Sequence, residues 1–176
     1  MEILGLDHLY LAVRDFAASE SFYDRVMAGL GFKKGDLAVG GAPHAHYFNR
    51  TMQLSIRPAR DGTPDHDSYA PGLHHLCLQA RTRSDVDAVF AMLRDLGIAA
   101  SPPALYPEYN PEYYATFFED PDGIRLEVVV RVSHRDRIVE RWDDLEGFVN
   151  PVRRLEQREA GESDPSQDPG AEDSTD

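Results

Sequence analysis

The chain is poor in cysteine, in long apolar runs and in positive charge. Cys77 is the only cysteine among 176 residues, so no disulfide can close within the chain and nothing points to secretion. No stretch approaches the roughly 20 consecutive apolar residues that a membrane-spanning helix needs, and no basic segment followed by an apolar one opens the sequence. The expectation is therefore a soluble, cytoplasmic protein with no membrane partner. With 18 Lys and Arg against 31 Asp and Glu, the net charge is −13, the wrong sign for a nucleic-acid partner. Seven of the acids fall in the last stretch, "EAGESDPSQDPGAEDSTD", which holds no base and no large apolar side chain. Residues 159–176 thus read as a solvated, disordered tail. Across the chain, 41% hydrophobic residues suffice for one ordinary domain, or for two small modules sharing a core.

What the chain does have is a repeat. Residues 5–13 read "GLDHLYLAV" and residues 72–80 read "GLHHLCLQA", which places His8 and His75 at equivalent positions. A helical pattern follows each strand. Phe22, Val26, Met27 and Leu30 fall at helix spacing before Gly31-Phe32, and Val86, Val89, Phe90, Leu93 and Leu96 before Gly97-Ile98. Ser84 and Asp87 are spaced as a capping box for the second helix. Strand-like runs then follow in both halves: "DLAVGG", "AHYFN" and "MQLSIRP", then "ALYPE", "YYATFFED" and "IRLEVVV". Each half reads β-α-β-β-β, at about 6–58 and 73–130, and "ARDGTPDHDSYAP" links them. The fold class is α+β, two tandem β-α-β-β-β modules forming a cupped mixed sheet over 1–130. Ile138, Trp142 and Leu145 lie near helical spacing, so 131–158 reads as an extension that forms an extra helix or a dimer contact.

Strand alternation sorts the side chains into two faces. Leu9, Leu11 and Val13 oppose His8, Tyr10 and Ala12, while Leu126, Val128 and Val130 oppose Arg125, Glu127 and Val129. Met52, Leu54 and Ile56 oppose Gln53, Ser55 and Arg57 in the same way. The greasy faces should take the helices, and the polar faces should line a cleft. Two imidazoles and a carboxylate on that cleft, from His8, His75 and Glu127, make a candidate site for one divalent metal ion. Imidazole nitrogen and carboxylate oxygen suit iron, nickel, zinc, manganese or cobalt, and three protein ligands leave positions open for substrate. Glu127 lies amid valines, where an uncompensated carboxylate would be costly.

The runs "DHLYLAV", "HHLCLQA" and "FFEDPDGIRLEVV" resemble the vicinal oxygen chelate superfamily, the group of glyoxalase, bleomycin-resistance, fosfomycin-resistance and extradiol dioxygenase proteins. In "FFEDPDGIRLEVV", Asp120-Pro121-Asp122-Gly123 makes the hairpin turn before the ligand strand. The resemblance covers about residues 4–130 and implies metal ligands on the first and last strands of each module. Carried over, these are His8, His75 and Glu127, with Glu127 also the catalytic residue. The fourth position falls on Ser55, where a water is expected instead, or on Gln53 if the register slips. The dioxygenase signature carries a tyrosine shortly before the Asp-Pro turn, where this chain has Phe117, and a histidine upstream of it, whereas here no histidine lies between His75 and His134. The fosfomycin-resistance enzymes would bring a cation-binding loop, but "YPEYNPEYY" has two acids and no lysine.

The expected substrate-binding side chains are Tyr10, Gln53, Ser55, Arg57, Arg125 and Tyr114. Arg57 and Arg125 share the cleft face and could grip a carboxylate or phosphate by bidentate hydrogen bonds, or else pair with an acid. His44 and His46 read as groups supporting the pocket. His74 should point away from His75. Cys77 has no identifiable partner base and reads as a small packing residue. Tyr106, Tyr109, Tyr113 and Tyr114 read as a loop covering the pocket. The leading functional expectation is a metal-dependent lyase or isomerase of glyoxalase type, acting on a small oxygenated substrate that chelates the metal, with a homodimer as one arrangement. An iron(II) extradiol-type dioxygenase and a non-catalytic drug-binding protein are the alternatives. The ligand set weighs against the binder.

Overall fold

The computed structural model describes residues 3, 5–36, 40–145 and 147–161. The first half forms β1 (His8–Val13), α1 (Phe16–Gly29), β2 (Lys33–Asp36), β3 (Ala45–Phe48) and β4 (Gln53–Pro58). The second forms β5 (Leu76–Gln79), α2 (Arg83–Asp95), β6 (Ala104–Leu105), β7 (Tyr114–Glu119) and β8 (Arg125–Val130). Each half folds into its own four-stranded mixed sheet, and the two strand orders are the same: β1-β4-β3-β2 and β5-β8-β7-β6. In both, the first strand runs parallel to the last and the remaining pairs are antiparallel. The duplicated sequence thus gives a duplicated topology, as two sheets rather than one continuous sheet. Of the run "DLAVGG", Asp36 belongs to β2, which begins earlier, at Lys33. Residues 37–39 lie outside the described residues.

The apolar stripes do what their spacing predicts. Phe22, Tyr23, Val26 and Met27 of α1 are buried, as are Leu11, Val13, Leu54 and Ile56 of the strands. In the second half Val86 and Leu93 of α2 are buried, with Phe118, Leu126 and Val128. Both helices stop by the same device. Gly31 (φ 81°) and Gly97 (φ 72°) take the left-handed conformation. Phe32 N–H then donates to Met27 O and Ile98 N–H to Leu93 O, each at 2.9 Å. These are Schellman closures, and they satisfy carbonyls that would otherwise be orphaned. The capping box of α2 is built by Thr82 and Asp85, two residues ahead of the expected pair.

The turn before β8 is held from within and from the first module. Asp120 Oδ1 accepts from the N–H of Asp122 and of Ile124, at 2.9 and 2.8 Å. Its Oδ2 accepts the Tyr23 hydroxyl of α1 at 2.8 Å. Residues up to Arg131 form one compact unit, and Val132–Asp176 a second. The second unit holds α3 (Val132–Glu140), a 3-10 turn (Trp142–Asp144) and α4 (Pro151–Glu159). Within it Arg137 reaches Glu159 at 3.8 Å. The helix therefore extends into the first residue of the expected tail. Residues 162–176 of that tail lie outside the described residues. Among the described residues, no helix is long and apolar enough to cross a membrane.

Candidate metal half-site

The parallel register decides which residues are equivalent in the two modules. Tyr10 pairs with Ser55 across β1 and β4, while Cys77 pairs with Glu127 across β5 and β8. Tyr10 and Cys77 each lie two residues after the repeat histidine, so Ser55, not Gln53, is the counterpart of Glu127. Ser55 is fully buried and committed to its neighbours. Its Oγ is 2.8 Å from His46 Nδ1 and accepts from Gln53 Nε2 at 2.6 Å. His46 is buried beside it, and His44, stacked on His46 with ring centroids 5.9 Å apart, has its Nδ1 2.8 Å from Ala42 O. Tyr10 meets His8, His44 and His46 edge-on at 5.6–6.0 Å. The first module thus carries a network of polar rings.

The second module carries the carboxylate. Glu127 is buried, and its Oε1 accepts the Tyr113 hydroxyl at 2.5 Å. Its Oε2 lies 3.4 Å from Nε2 of His75. The other ring nitrogen of His75, Nδ1, is 2.7 Å from Nδ1 of His74. His74 therefore does not point away from His75. Glu127 and His75 each have one polar atom engaged by a neighbour and turn the other toward each other. Two ligand atoms bound roughly 2.0–2.1 Å from one tetrahedral ion would be separated by roughly 3.3–3.4 Å. In donor type and spacing, His75 and Glu127 fit a divalent ion, with His74 and Tyr113 as the outer partners such ligands usually have.

His8 is not brought to this pair. It is exposed on the first sheet, with Nδ1 2.8 Å from Asp7 Oδ2. Among the described residues no three His, Cys, Asp or Glu side chains converge to hold a metal ion. Among the described residues, the single chain gathers two of the three expected ligands.

Tyrosines 113 and 114 divide the strand faces between them. Tyr114 donates to Asp87 of α2 at 2.7 Å, so it belongs to the helix side and not to the cleft. Tyr113 is the one that reaches Glu127. Counting back through the β7–β8 hairpin shows why: Glu119 pairs with Arg125 and Phe117 with Glu127, so Tyr113, Ala115 and Phe117 share the face of Glu127. Tyr106 packs against Tyr113 and Phe117 with centroids at 6.5 and 5.3 Å, and Tyr109 against Tyr113 at 5.2 Å. This aromatic packing on the face of Glu127 accompanies the burial of β8 on both sides. Burial first, then the bond to Glu127, pushes the Tyr113 hydroxyl well above the usual phenol range, so it stays a donor. Cys77 keeps an exposed edge, yet burial and then the charge of Glu127 push its thiol up to about 12. A thiol so far from ionisation is no nucleophile at neutral pH.

Arg57 and Arg125 do not form a common grip. Arg57 lines a cavity of about 480 Å³ at the end of the first sheet, with Arg14, Arg60 and Asp122. Arg125 lines another of about 460 Å³ with Ser101 and Glu119, and its guanidinium lies over the Phe117 ring at 4.4 Å.

Comparison with known proteins agrees with this architecture. Residues 5–128 match the family model of the Glyoxalase/Bleomycin resistance protein/Dioxygenase superfamily. The chain belongs to that superfamily. It is 30% identical over 142 residues to the uncharacterized protein YaeR of Escherichia coli (strain K12), covering 72% of this chain and 98% of YaeR. It is also 30% identical over 132 residues to a 2,2',3-trihydroxybiphenyl dioxygenase of Sphingomonas paucimobilis, covering 72% of this chain but only 41% of that enzyme. Among solved structures, a glyoxylase/bleomycin resistance protein/dioxygenase domain from Frankia sp. EAN1pec superposes with a TM-score of 0.62 at 24% identity. That match covers 73% of this chain and 98% of the other.

Proposed function

We propose that the chain is a divalent-metal-dependent enzyme with lyase or isomerase chemistry of the glyoxalase type, acting on a small oxygenated molecule. The observation that carries this reading is the facing pair of His75 Nε2 and Glu127 Oε2 at 3.4 Å, each backed by a neighbour on its other polar atom. A divalent ion bound there would supply Lewis acidity to a chelating substrate. The chain's own residues supply the rest. Tyr113 fixes the rotamer of Glu127, whose carboxylate is placed to hold or accept a proton. His74 fixes the ring of His75. Tyr113 covers one oxygen of the carboxylate, and Tyr106 and Tyr109 pack against Tyr113. His8 is the third donor, and we propose that a second copy of the chain presents it. Two features support this arrangement: His8 and Tyr10 are exposed on the first module's polar face, and His75, Cys77 and Gln79 are exposed on the second.

The 30% identity to a 2,2',3-trihydroxybiphenyl dioxygenase supports an iron(II) dioxygenase as the second reading. Phe117, at the position where those enzymes are expected to carry a tyrosine, weighs against it. The test is a titration of zinc, nickel, cobalt, manganese and iron(II) into the protein and its His8→Ala, His75→Ala and Glu127→Ala variants, following the melting temperature. An ion that binds the folded state at 100 times its Kd stabilises it by about 2.7 kcal/mol. The wild type should show that shift and each variant should lose most of it. Equal shifts in all four proteins would sink the metal site, and a preference for iron(II) would promote the dioxygenase.

A further inference from the structure

The cavity of about 480 Å³ lies where the ends of β1 and β4 meet the linker between the modules, and three arginines stand in its lining. Arg14, Arg57, Arg60 and His66 line it, with Thr63, and Asp122 is the one carboxylate in the lining. Arg14 is already committed. Its Nη2 donates to Thr63 O and Pro64 O at 3.1 and 2.9 Å and pairs with Asp65 at 2.9 Å, which ties the linker to the sheet. Arg57 and Arg60 are different. Thr63 Oγ1 donates to the Arg60 carbonyl at 2.9 Å, but neither guanidinium has a hydrogen-bond or ion-pair partner among the described residues. Two guanidinium groups in one cavity lining, neither bonded to the protein, are open to an anion. Their planar donor forks match carboxylate and phosphate oxygens.

The volume sets the size of the ligand. A cavity of several hundred Å³ suits a small organic molecule rather than a bare ion. We propose that this cavity binds the oxyanionic group, phosphate or carboxylate, of a small molecule, and that Arg57 and Arg60 grip it. The cavity shares no residue with the proposed metal ligands, so this inference stands or falls separately from the metal reading. Asp122 gives the site an internal control. Its Oδ2 accepts the N–H of Arg14 at 3.0 Å, a bond that an asparagine side chain can also accept, while its charge opposes a bound anion.

The test is calorimetric titration of the full chain, kept in EDTA so that metal plays no part, with inorganic phosphate, glycerol phosphate and succinate as separate probes. The wild type should bind at least one of them saturably, and the stronger of glycerol phosphate and succinate names the group. The Arg57→Ala, Arg60→Ala double variant should bind that probe at least about tenfold more weakly while keeping the wild-type melting temperature. Asp122→Asn should bind it several-fold more tightly, and added salt should weaken binding in both the wild type and Asp122→Asn. No saturable binding by any probe, or unchanged affinity in the double arginine variant, would overturn the assignment.

Discussion

Asp120 shows how one side chain can serve the fold and still be a liability at neutral pH. Its carboxyl closes the turn before β8 through two backbone N–H groups and receives the Tyr23 hydroxyl from the other module. Those donors pull its pKa down, but burial outweighs them and the net shift is upward. A carboxyl whose folded pKa is raised stabilises the fold fully only below its unfolded pKa, and that contribution is lost as pH rises through the folded value. The ionised form is thus the costly one. Asp120→Asn keeps the acceptor on the turn and cannot ionise. Its stability relative to the wild type should therefore rise between about pH 4 and pH 7, measured by urea unfolding at each pH. A gap that stays constant across that range would mean Asp120 ionises in the fold at no cost.

Among the elements, the two helix stops carry the plainest test of the duplication. Gly31 and Gly97 hold the same left-handed conformation, and the donors after them close the same bond. Replacing either by alanine puts a Cβ into that conformation at a cost of about 1–2 kcal/mol, and the two losses should be similar because the motif is the same. Denaturant midpoints of Gly31→Ala and Gly97→Ala would check this. A negligible loss at either position would show that its helix end relaxes away from the motif. These stops were legible in the sequence, since a Leu-Gly-apolar ending recurs after each helical stripe, and so was the β-α-β-β-β order of elements in each half. The capping box was harder to read, because Thr82 with Asp85 and Ser84 with Asp87 have the same spacing. Only the structure shows that Asp85 serves the cap while Asp87 takes the hydroxyl of Tyr114. The choice between Tyr113 and Tyr114 was legible in principle. The Asp-Pro-Asp-Gly turn fixes the hairpin register, and the register puts Tyr113 on the face of Glu127. Contacts that depend on side-chain rotamers, such as His74 against His75, leave no such mark in a sequence.

At the scale of the whole molecule, the repeat reveals that His8 and His75 are equivalent, but equivalence does not place them in one site. Strand alternation assigns a side chain to a face and says nothing of which face it meets. His75 and Glu127 come together because β5 and β8 are hydrogen-bonded neighbours, whereas His8 lies in the other sheet. The proposed homodimer has a consequence that a single-chain site does not. A symmetric dimer would hold two sites, each built from the first module of one copy and the second module of the other. His8→Ala then damages one side of both sites, and Glu127→Ala damages the opposite side of both. Mixing the two variants and allowing subunits to exchange produces dimers in which one site carries both lesions and the other carries neither. With random pairing, about a quarter of the wild-type metal content should return, although each variant alone binds almost none. Metal analysis after gel filtration measures it directly. Should the mixture bind no more than the separate variants, His8 is not contributed across copies. Should His8→Ala alone keep its metal, His8 is no ligand, and His75 and Glu127 must recruit a different third donor.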